Sequence, residues 1–310
     1  MNATMTPTQH PTVQAPSISS SAVLIDLSIS TWTGRKLDKR ASNDVTAQNG
    51  AAKGVANVHK KLLGDCAELD AVQKFAANAR NAHYAMTMPW SDLGMRLCPT
   101  KQYMGTGARD GYETTMTELQ AEFWRLVKTF LDAYDWELSQ AQVKLGALFN
   151  NSDYPSRDAI AAKFKFRFTA MPLPDAGDWR LDIGNEAAAS MREQYEKFYG
   201  AQLQQAMGDI WERAHKALSA MSERLDYADS DTKKIFRDTL VANVREIVDL
   251  LDVMNITDDP VMADAHRRLD HALRGVTPDA LREDSYLRAE TKRQVDEVKK
   301  IIDNLPGLGF

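Results

Sequence analysis

The sequence between Thr115 and Phe149 repeats apolar residues at helical spacing over a long, uninterrupted run. Successive apolar residues are three or four positions apart, which places them on one face of an α-helix. They are Met116, Leu119, Phe123, Leu126, Phe130, Tyr134, Leu138, Ala141, Leu145 and Leu148. At about 1.5 Å per residue, such a helix spans roughly 50 Å. The pattern therefore predicts an elongated, mostly helical protein, and proteins of this shape usually act by contact.

Composition narrows the class of protein further. The 310 residues are 44% hydrophobic and 26% charged, values typical of a soluble globular protein. The net charge of −5 gives no bulk attraction to nucleic acid. Two cysteines, Cys66 and Cys98, are too few for a structural zinc site, and the six histidines lack the spacing of metal ligands on a helix. We therefore predict no catalytic residues, no cofactor and no metal.

The N-terminal residues 1–21 are rich in Thr, Ser, Pro and Gln and contain no Lys or Arg. This composition predicts a disordered tail and lacks the basic start and apolar run of a secretory signal. The apolar run at 22–25 is far too short to span a membrane. We expect a cytoplasmic protein without a membrane segment.

Three segments alternate apolar and polar residues, which is typical of β-strands with one buried face. They are 23–31, 163–169 and, after a turn at 172–177, 179–183. In the second segment three phenylalanines face one way and three cations face the other. Together these segments predict a small two- or three-stranded antiparallel sheet.

The rest of the pattern is helical. Predicted helices cover about 55–86, 115–149, 186–228, 231–254, 261–274 and 278–305. A short helix is also predicted to start at 155–158, with Ser156 as its N-cap. Because the helices at 115–149 and 186–228 flank the β segments, we predict an antiparallel helical hairpin, or bundle, with a β tip. Residues 22–228 then form one unit, and the helices of 229–310 pack on the same bundle. The irregular connection 88–111 is expected to be an ordered interaction surface anchored by Trp90 and Arg96.

Two motifs have weak chemical signatures. Asp26, Ser28 and Ser30 match the Asp-x-Ser-x-Ser pattern that holds a magnesium ion in von Willebrand A-type domains, but the alternation continues through Ile29 and favours an ordinary strand face. The glycine-rich run 105–111 precedes a helix, as phosphate-binding loops do. It has no preceding apolar strand and no Gly-Lys-Ser/Thr ending, so a flexible hinge is the simpler interpretation.

Two clusters of cations are candidates for interaction. One lies beside Trp32 and consists of Arg35, Lys36, Lys39 and Arg40. The other is the strand face with Lys163, Lys165 and Arg167. Cations next to aromatic residues can contact phosphates and stack on bases, although a solvated face or an acidic protein partner would explain them equally well.

Parts of the sequence resemble a protein family of tailed bacteriophages and prophages known as domain of unknown function 3150. The resemblance lies in Leu27–Lys36 (LSISTWTGRK), in Met88–Leu97 (MPWSDLGMRL) and in the stretch from Phe164 through Pro172 to Leu181. It implies a phage-encoded accessory role in the host cytoplasm and transfers no catalytic residues. Members are often encoded near MoxR-type ATPases of the AAA+ class, which suggests such an ATPase as a partner.

The sequence thus predicts a non-enzymatic interaction or assembly protein that binds a protein partner or a second copy of itself, with an adaptor for an AAA+ ATPase as one form of this role. A nucleic-acid-binding accessory protein in phage replication or defence evasion is the alternative. A metal-dependent enzyme is the third hypothesis.

Overall fold

A computed structural model describes residues 21–106, 109–173, 185–227 and 238–305. These residues are mostly helical and include a small antiparallel sheet, as the sequence predicts. The helices are α1 (Lys39–Gln48), α2 (Ala67–Ala85), α3 (Thr100–Met104), α4 (Tyr112–Leu145), α5 (Arg157–Ala161), α6 (Asn185–Leu225), α7 (Thr239–Val253), α8 (Pro260–Leu273), α9 (Pro278–Glu283) and α10 (Ser285–Asp303). The strands are β1 (Ala22–Ser30), β2 (Arg35–Leu37), β3 (His59–Lys61), β4 (Met88–Pro89), β5 (Arg96–Pro99), β6 (Gly105–Thr106), β7 (Arg109–Asp110) and β8 (Lys165–Pro172).

The main sheet has the strand order β4-β5-β1-β8, and its neighbouring strands are antiparallel. The long strand β1 lies in the middle, where it pairs with β5 through its first half and with β8 along nearly its whole length. Its register places Leu24 opposite Leu97 and Ile29 opposite Phe166. Two short ribbons, β2–β3 and β6–β7, lie outside this sheet.

One face of the sheet forms the first hydrophobic core together with α2 and α4. The buried stripe of α4 supplies Met116, Phe123 and Phe130, none of which is exposed. The sheet supplies Ile25 and Phe166 to the same core. Burial of a side chain such as Phe or Met stabilises a fold by about 1.5–3 kcal/mol. The apolar side of α4 therefore packs against the sheet and α2.

The second core is built from α6, α7, α8 and α10. It contains Ile210, Leu218 and Leu269, which are fully buried. It also covers the opposite face of the main sheet at one end, where Leu24 and Leu97 face it. The sheet is therefore covered on one face by the first core and on part of the other face by the second.

The predicted hairpin of the two longest helices is not formed by these cores. The apolar stripe of α4 packs in the first core, mainly on α2, whereas the buried residues of α6 pack in the second core, mainly on α7 and α10. Amphipathic stripes establish that each helix has a buried face but do not identify what covers it. The helix α6 thus belongs with the C-terminal helices rather than with α4.

Several predicted boundaries also change. The helix predicted from about 55 starts only at 67, because Leu62 and Leu63 are buried as loop residues after β3 and Cys66 is the N-cap. The connection 88–111 contains two strands of the main sheet, the short helix α3 and the β6–β7 ribbon. The helix predicted at 278–305 is interrupted at Asp284, whose side chain caps α10.

Other predictions are confirmed or lie outside the described residues. Ser156 caps α5, as its position before the helix predicts, by accepting a hydrogen bond from the backbone N–H of Ala159. The predicted tail lies outside the described residues except for its last residue, and the predicted strand at 179–183 lies wholly outside them. Among the described helices, none combines the length and hydrophobicity needed to cross a bilayer.

Candidate functional sites

The polar half of the main sheet brings the Asp-x-Ser-x-Ser motif next to the cationic face of β8. The register pairs Ser28 with Arg167 and Ser30 with Lys165, so their side chains share one face. That face belongs to neither hydrophobic core at this end of the sheet. A guanidinium nitrogen of Arg167 lies 3.1 Å from a carboxylate oxygen of Asp26. The neighbour of Asp26 is thus a protein cation, which favours an ordinary strand face over a magnesium site.

The other predicted cationic cluster is divided between strand β2, with Arg35 and Lys36, and the first residues of α1, with Lys39 and Arg40. Part of its charge is neutralised, because Asp153 accepts hydrogen bonds from Lys36 at 2.7 Å and lies 2.8 Å from the ammonium of Lys60. These two ammonium groups lower the pKa of the Asp153 carboxyl. Three cations remain exposed, and no carboxylate of the described residues lies within ion-pair distance of them. They are Arg35, Lys39 and Arg40.

Trp32 and Trp90, the two tryptophans predicted as interaction residues, are buried. Trp32 is 6% exposed and lies 6.0 Å, between ring centroids, from Phe130 in the first core. Trp90 is 4% exposed and meets Tyr199 edge-on at 5.3 Å beside the second core. Both side chains therefore belong to the interior, and their packing in the two cores accounts for large apolar residues at these positions.

Arg96, predicted to anchor the connection 88–111, lies at a junction between the two cores. Its guanidinium donates to the hydroxyl of Thr87 at 2.7 Å and to the Thr87 carbonyl oxygen at 2.9 Å. The guanidinium of Arg213, on α6, donates to the same carbonyl at 2.9 Å. Burial lowers the pKa of Arg96, and the nearby charge of Arg213 lowers it further.

The arginine pair at this junction is balanced by one carboxylate. Asp209 lies 2.6 Å from a guanidinium nitrogen of Arg213, one helical turn away on α6. Burial raises the pKa of Asp209, while Arg213 and Arg96 oppose this effect. The junction thus links β5 and α6 through charged hydrogen bonds to Thr87, just before β4. No sequence pattern identifies Thr87, Asp209 or Arg213 as its members.

Next to the junction, His83 and Tyr112 form a buried pair. The His83 Nδ1 atom lies 2.8 Å from the Tyr112 hydroxyl oxygen. Burial, together with the charge of Arg96, lowers the pKa of His83 to about 4. Burial also raises the pKa of Tyr112. Both groups are consequently neutral at physiological pH and act as a hydrogen-bonded part of the first core.

The outer face of α4 presents large apolar side chains to solvent. Trp136 is 64% exposed and Val143 is 81% exposed, and Trp124 on the flank is 42% exposed. Trp136 and Val143 each follow a buried residue, Tyr134 or Ala141, by two positions, which is about 200° around the helix. They lie seven residues apart and share one side, so we refer to Trp136 and Val143 as the outer pair.

The residues Cys66, Glu68 and Glu137 converge where the start of α2 packs on α4. Their ligand atoms all lie within 4.8 Å of one another. Burial raises the pKa of the Cys66 thiol to about 11, and the carboxylates of Glu137 and Glu68 raise it as well. Because Glu137 is 71 positions away from Cys66 along the chain, their proximity has no local sequence signal.

The glycine-rich run is shaped by a close approach of backbone atoms. A Cβ atom added to Gly111 would lie 2.4 Å from the carbonyl oxygen of Tyr103, so only glycine fits there. The run contains the short β6–β7 ribbon, and residues 107 and 108 lie outside the described part of the chain. The close approach of Gly111 to the backbone at the end of α3 thus accounts for this glycine without a phosphate ligand.

Comparison of the chain with protein-family models, with curated proteins and with solved structures gives no match.

Proposed function

We propose that this protein is a non-enzymatic interaction protein whose α4 outer face binds a protein partner. The observation that carries the proposal is the exposure of the outer pair, Trp136 and Val143, on the side of α4 opposite its buried stripe. Exposed tryptophan is unusual on a helix that already has a complete apolar face. It is also the residue most enriched among those that dominate binding energy at protein interfaces.

The geometry of the outer pair suits a partner helix or groove. A separation of seven residues corresponds to about 10 Å along the helix and to nearly the same angular position. In helix-in-groove recognition, two apolar side chains spaced in this way on one helix anchor it in an apolar groove of the partner. Neighbouring charges on α4 are satisfied locally, since Arg125 pairs with Glu122 and Lys128 pairs with Asp132.

The partner that we propose is an AAA+ ATPase of the MoxR type, which the protein would serve as an adaptor in the cytoplasm of a phage-infected cell. This choice is supported only by the resemblance of three sequence segments to a phage and prophage family. Self-association through the same face is the competing arrangement. The two can be separated because self-association needs no second protein.

The experiment measures binding of the purified full-length protein to a purified MoxR-type AAA+ ATPase, by biolayer interferometry. The test variant is Trp136→Ala combined with Val143→Ala. Loss of a tryptophan anchor costs about 2 kcal/mol at an interface, so we expect the dissociation constant to rise about 30-fold or more. Analytical ultracentrifugation of both proteins alone measures self-association in parallel.

The matched control is Arg125→Ala, which removes an exposed side chain from the same helix without touching the outer pair. We expect it to bind as the unaltered protein does. Binding to neither the ATPase nor a second copy, or binding that the double variant leaves unchanged, would contradict the proposal. Because both residues of the pair are exposed, their removal should leave the thermal unfolding temperature nearly unchanged.

Nucleic-acid binding is the second candidate, and one observation favours it. Lys165 is exposed on the polar half of the sheet, and Arg35, Lys39 and Arg40 are exposed near the β2–β3 ribbon. Fluorescence anisotropy with single- and double-stranded DNA at physiological salt tests it. Nanomolar affinity that falls steeply with salt and is abolished by Arg35→Glu would favour this candidate, because each neutralised phosphate releases counterions. Affinity of micromolar or weaker, as expected for non-specific contact, would favour the protein-interaction proposal.

A further inference from the structure

Cys66, Glu68 and Glu137 bring a thiol and two carboxylates together, and the packing of the two cores does not account for this group. Cys66 is the N-cap residue of α2 and is 3% exposed. The side chain of Glu137, on α4, is 13% exposed. Two carboxylates and a thiol within 4.8 Å of one another repel as they ionise. A cation bound among them would remove this repulsion.

The protein's own cations balance this group only in part. The ammonium of Lys144 lies 3.0 Å from one carboxylate oxygen of Glu137 and also donates to the backbone carbonyl of Asp65 at 3.2 Å. Among the described residues, no lysine or arginine lies within ion-pair distance of Glu68. The group that contacts Glu68 is the Cys66 thiol, at 3.7 Å.

We infer that Cys66, Glu68 and Glu137 form a binding site for a divalent cation of the zinc class. A thiolate and two carboxylates are a donor set that Zn²⁺ accepts, whereas Mg²⁺ and Ca²⁺ bind oxygen donors. Binding releases the thiol proton to solvent and forms the sulfur–metal bond. The three negative charges then face two positive charges of the ion and one of Lys144.

The separation of the Cys66 and Glu68 donor atoms fits this donor set. With bonds of about 2.3 Å to sulfur and 2.0–2.2 Å to oxygen, tetrahedral coordination separates a sulfur and an oxygen ligand by about 3.5 Å. The observed separation of Cys66 Sγ and Glu68 Oε2 is 3.7 Å. Glu137 has two carboxylate oxygens, so one can keep the ammonium of Lys144 while the other binds the ion.

A small polar cavity borders the thiol on one side. Cys66 lines a partly open space of about 50 Å³ whose polar lining includes Arg35, Lys61, Asp70 and Gln73 but neither Glu68 nor Glu137. A space of this size holds water, which requires about 10–15 Å³ and two to four polar partners. Catalytic and open zinc sites use three protein ligands and a water, so the cavity provides a source for the fourth ligand.

The test uses Co²⁺ as a spectroscopic substitute for Zn²⁺ with the full-length protein under reducing conditions. We expect one equivalent of Co²⁺ to produce a thiolate-to-cobalt charge-transfer band in the near ultraviolet, which Zn²⁺ then removes by displacement. Cys66→Ser should abolish the band. Glu68→Gln and Glu137→Gln should each weaken Co²⁺ binding at least tenfold.

The matched control is Cys98→Ser, because Cys98 is also fully buried but donates to the backbone carbonyls of Met86 and Pro99. This variant should keep the band. The Cys66→Ser protein is expected to fold, since serine is a favoured N-cap residue. Thermal unfolding gives a second readout: Zn²⁺ should raise the unfolding temperature of the unaltered and Cys98→Ser proteins but not of Cys66→Ser.

Three results would overturn the inference. They are the absence of a charge-transfer band at saturating Co²⁺, a band that persists in Cys66→Ser, and stabilisation by Zn²⁺ that is equal in Cys66→Ser and in the unaltered protein.

Discussion

At the scale of single residues, His83 shows how burial changes the chemistry of a side chain that would otherwise titrate near neutral pH. The ring is 3% exposed and its Nδ1 atom is hydrogen-bonded to the Tyr112 hydroxyl. Desolvation disfavours the charged imidazolium, and the pKa falls from 6.5 to about 4. The consequence is a dependence of stability on pH rather than a catalytic group.

We predict that the protein becomes less stable as the pH falls from 6.5 to 4. The folded-state pKa of His83 lies below that of the unfolded chain, so in this interval only the unfolded chain binds the additional proton. The contribution is complete above pH 6.5 and decreases toward pH 4, by about 3 kcal/mol in total. Urea unfolding at several pH values should show a flatter dependence for His83→Gln. The control His271→Gln, at an exposed ring, should keep the full slope. A slope unchanged by His83→Gln would contradict this assignment.

At the scale of helices and strands, the sequence was most informative where periodicity extends over many residues. The stripe of α4 predicted the helix and five of its seven buried residues, because apolar positions at helical spacing leave few alternatives. The helix ends at Leu145, so the predicted Leu148 lies beyond it and is 46% exposed. Strands β4 and β5 were missed because they have two and four residues, too few for an alternating pattern. The place of β5 in the sheet depends on pairing with β1, which lies more than 70 positions earlier in the sequence, and β4 in turn pairs with β5.

The packing of α4 gives a prediction with an internal control. Phe130 is fully buried between Trp32, Tyr134 and Phe164, with ring centroids 5.8–6.1 Å away. Phe130→Ala should reduce the free energy of unfolding by about 3–5 kcal/mol, because it removes buried area and leaves a cavity. Trp136→Ala, six residues later on the outer side, should change it by less than about 0.5 kcal/mol. Similar losses for both variants, in chemical denaturation, would disprove the assigned orientation of α4.

The connection 88–111 gives a prediction about local order. The peptide bond after Arg96 lies in β5, which is hydrogen-bonded between β4 and β1. Lys53, by comparison, is exposed in a turn between α1 and β3. Limited digestion of the native protein with trypsin should therefore cut after Lys53 well before it cuts after Arg96. Mass spectrometry of early fragments provides the measurement, and early cleavage at Arg96 would show that the connection opens easily.

At the scale of the whole molecule, sequence reasoning fails where contacts join distant elements. Apolar stripes on α4 and α6 suggested that these helices cover each other, but each is covered by other elements, in separate cores. The same limit applies to the candidate sites. Cys66 and Glu137 meet only because α2 packs on α4, and Arg96 and Arg213 meet only because α6 lies against the edge strand of the sheet.

The junction between the two cores gives the last prediction. The guanidinium of Arg213 donates to the backbone carbonyls of Ala85 and Thr87 at 3.2 and 2.9 Å, and it pairs with Asp209. Arg213→Met removes these donors and leaves the partly buried Asp209 carboxylate without its arginine. We expect a loss of about 1–3 kcal/mol in the free energy of unfolding.

The control is Arg268→Met, which removes an arginine that is 52% exposed and pairs with Asp264 on α8. Its cost should be no more than about 0.5 kcal/mol, as is typical of surface ion pairs. Combining Arg213→Met with Asp209→Asn should recover part of the loss, because the uncompensated charge is then gone. In the Arg213→Met protein, backbone amides of β4 and of the facing turns of α6 should lose protection from hydrogen exchange, while those at the centre of α4 keep it. Uniform loss of protection across both cores would mean that the junction stabilises the molecule as one cooperative unit rather than connecting two cores that open separately.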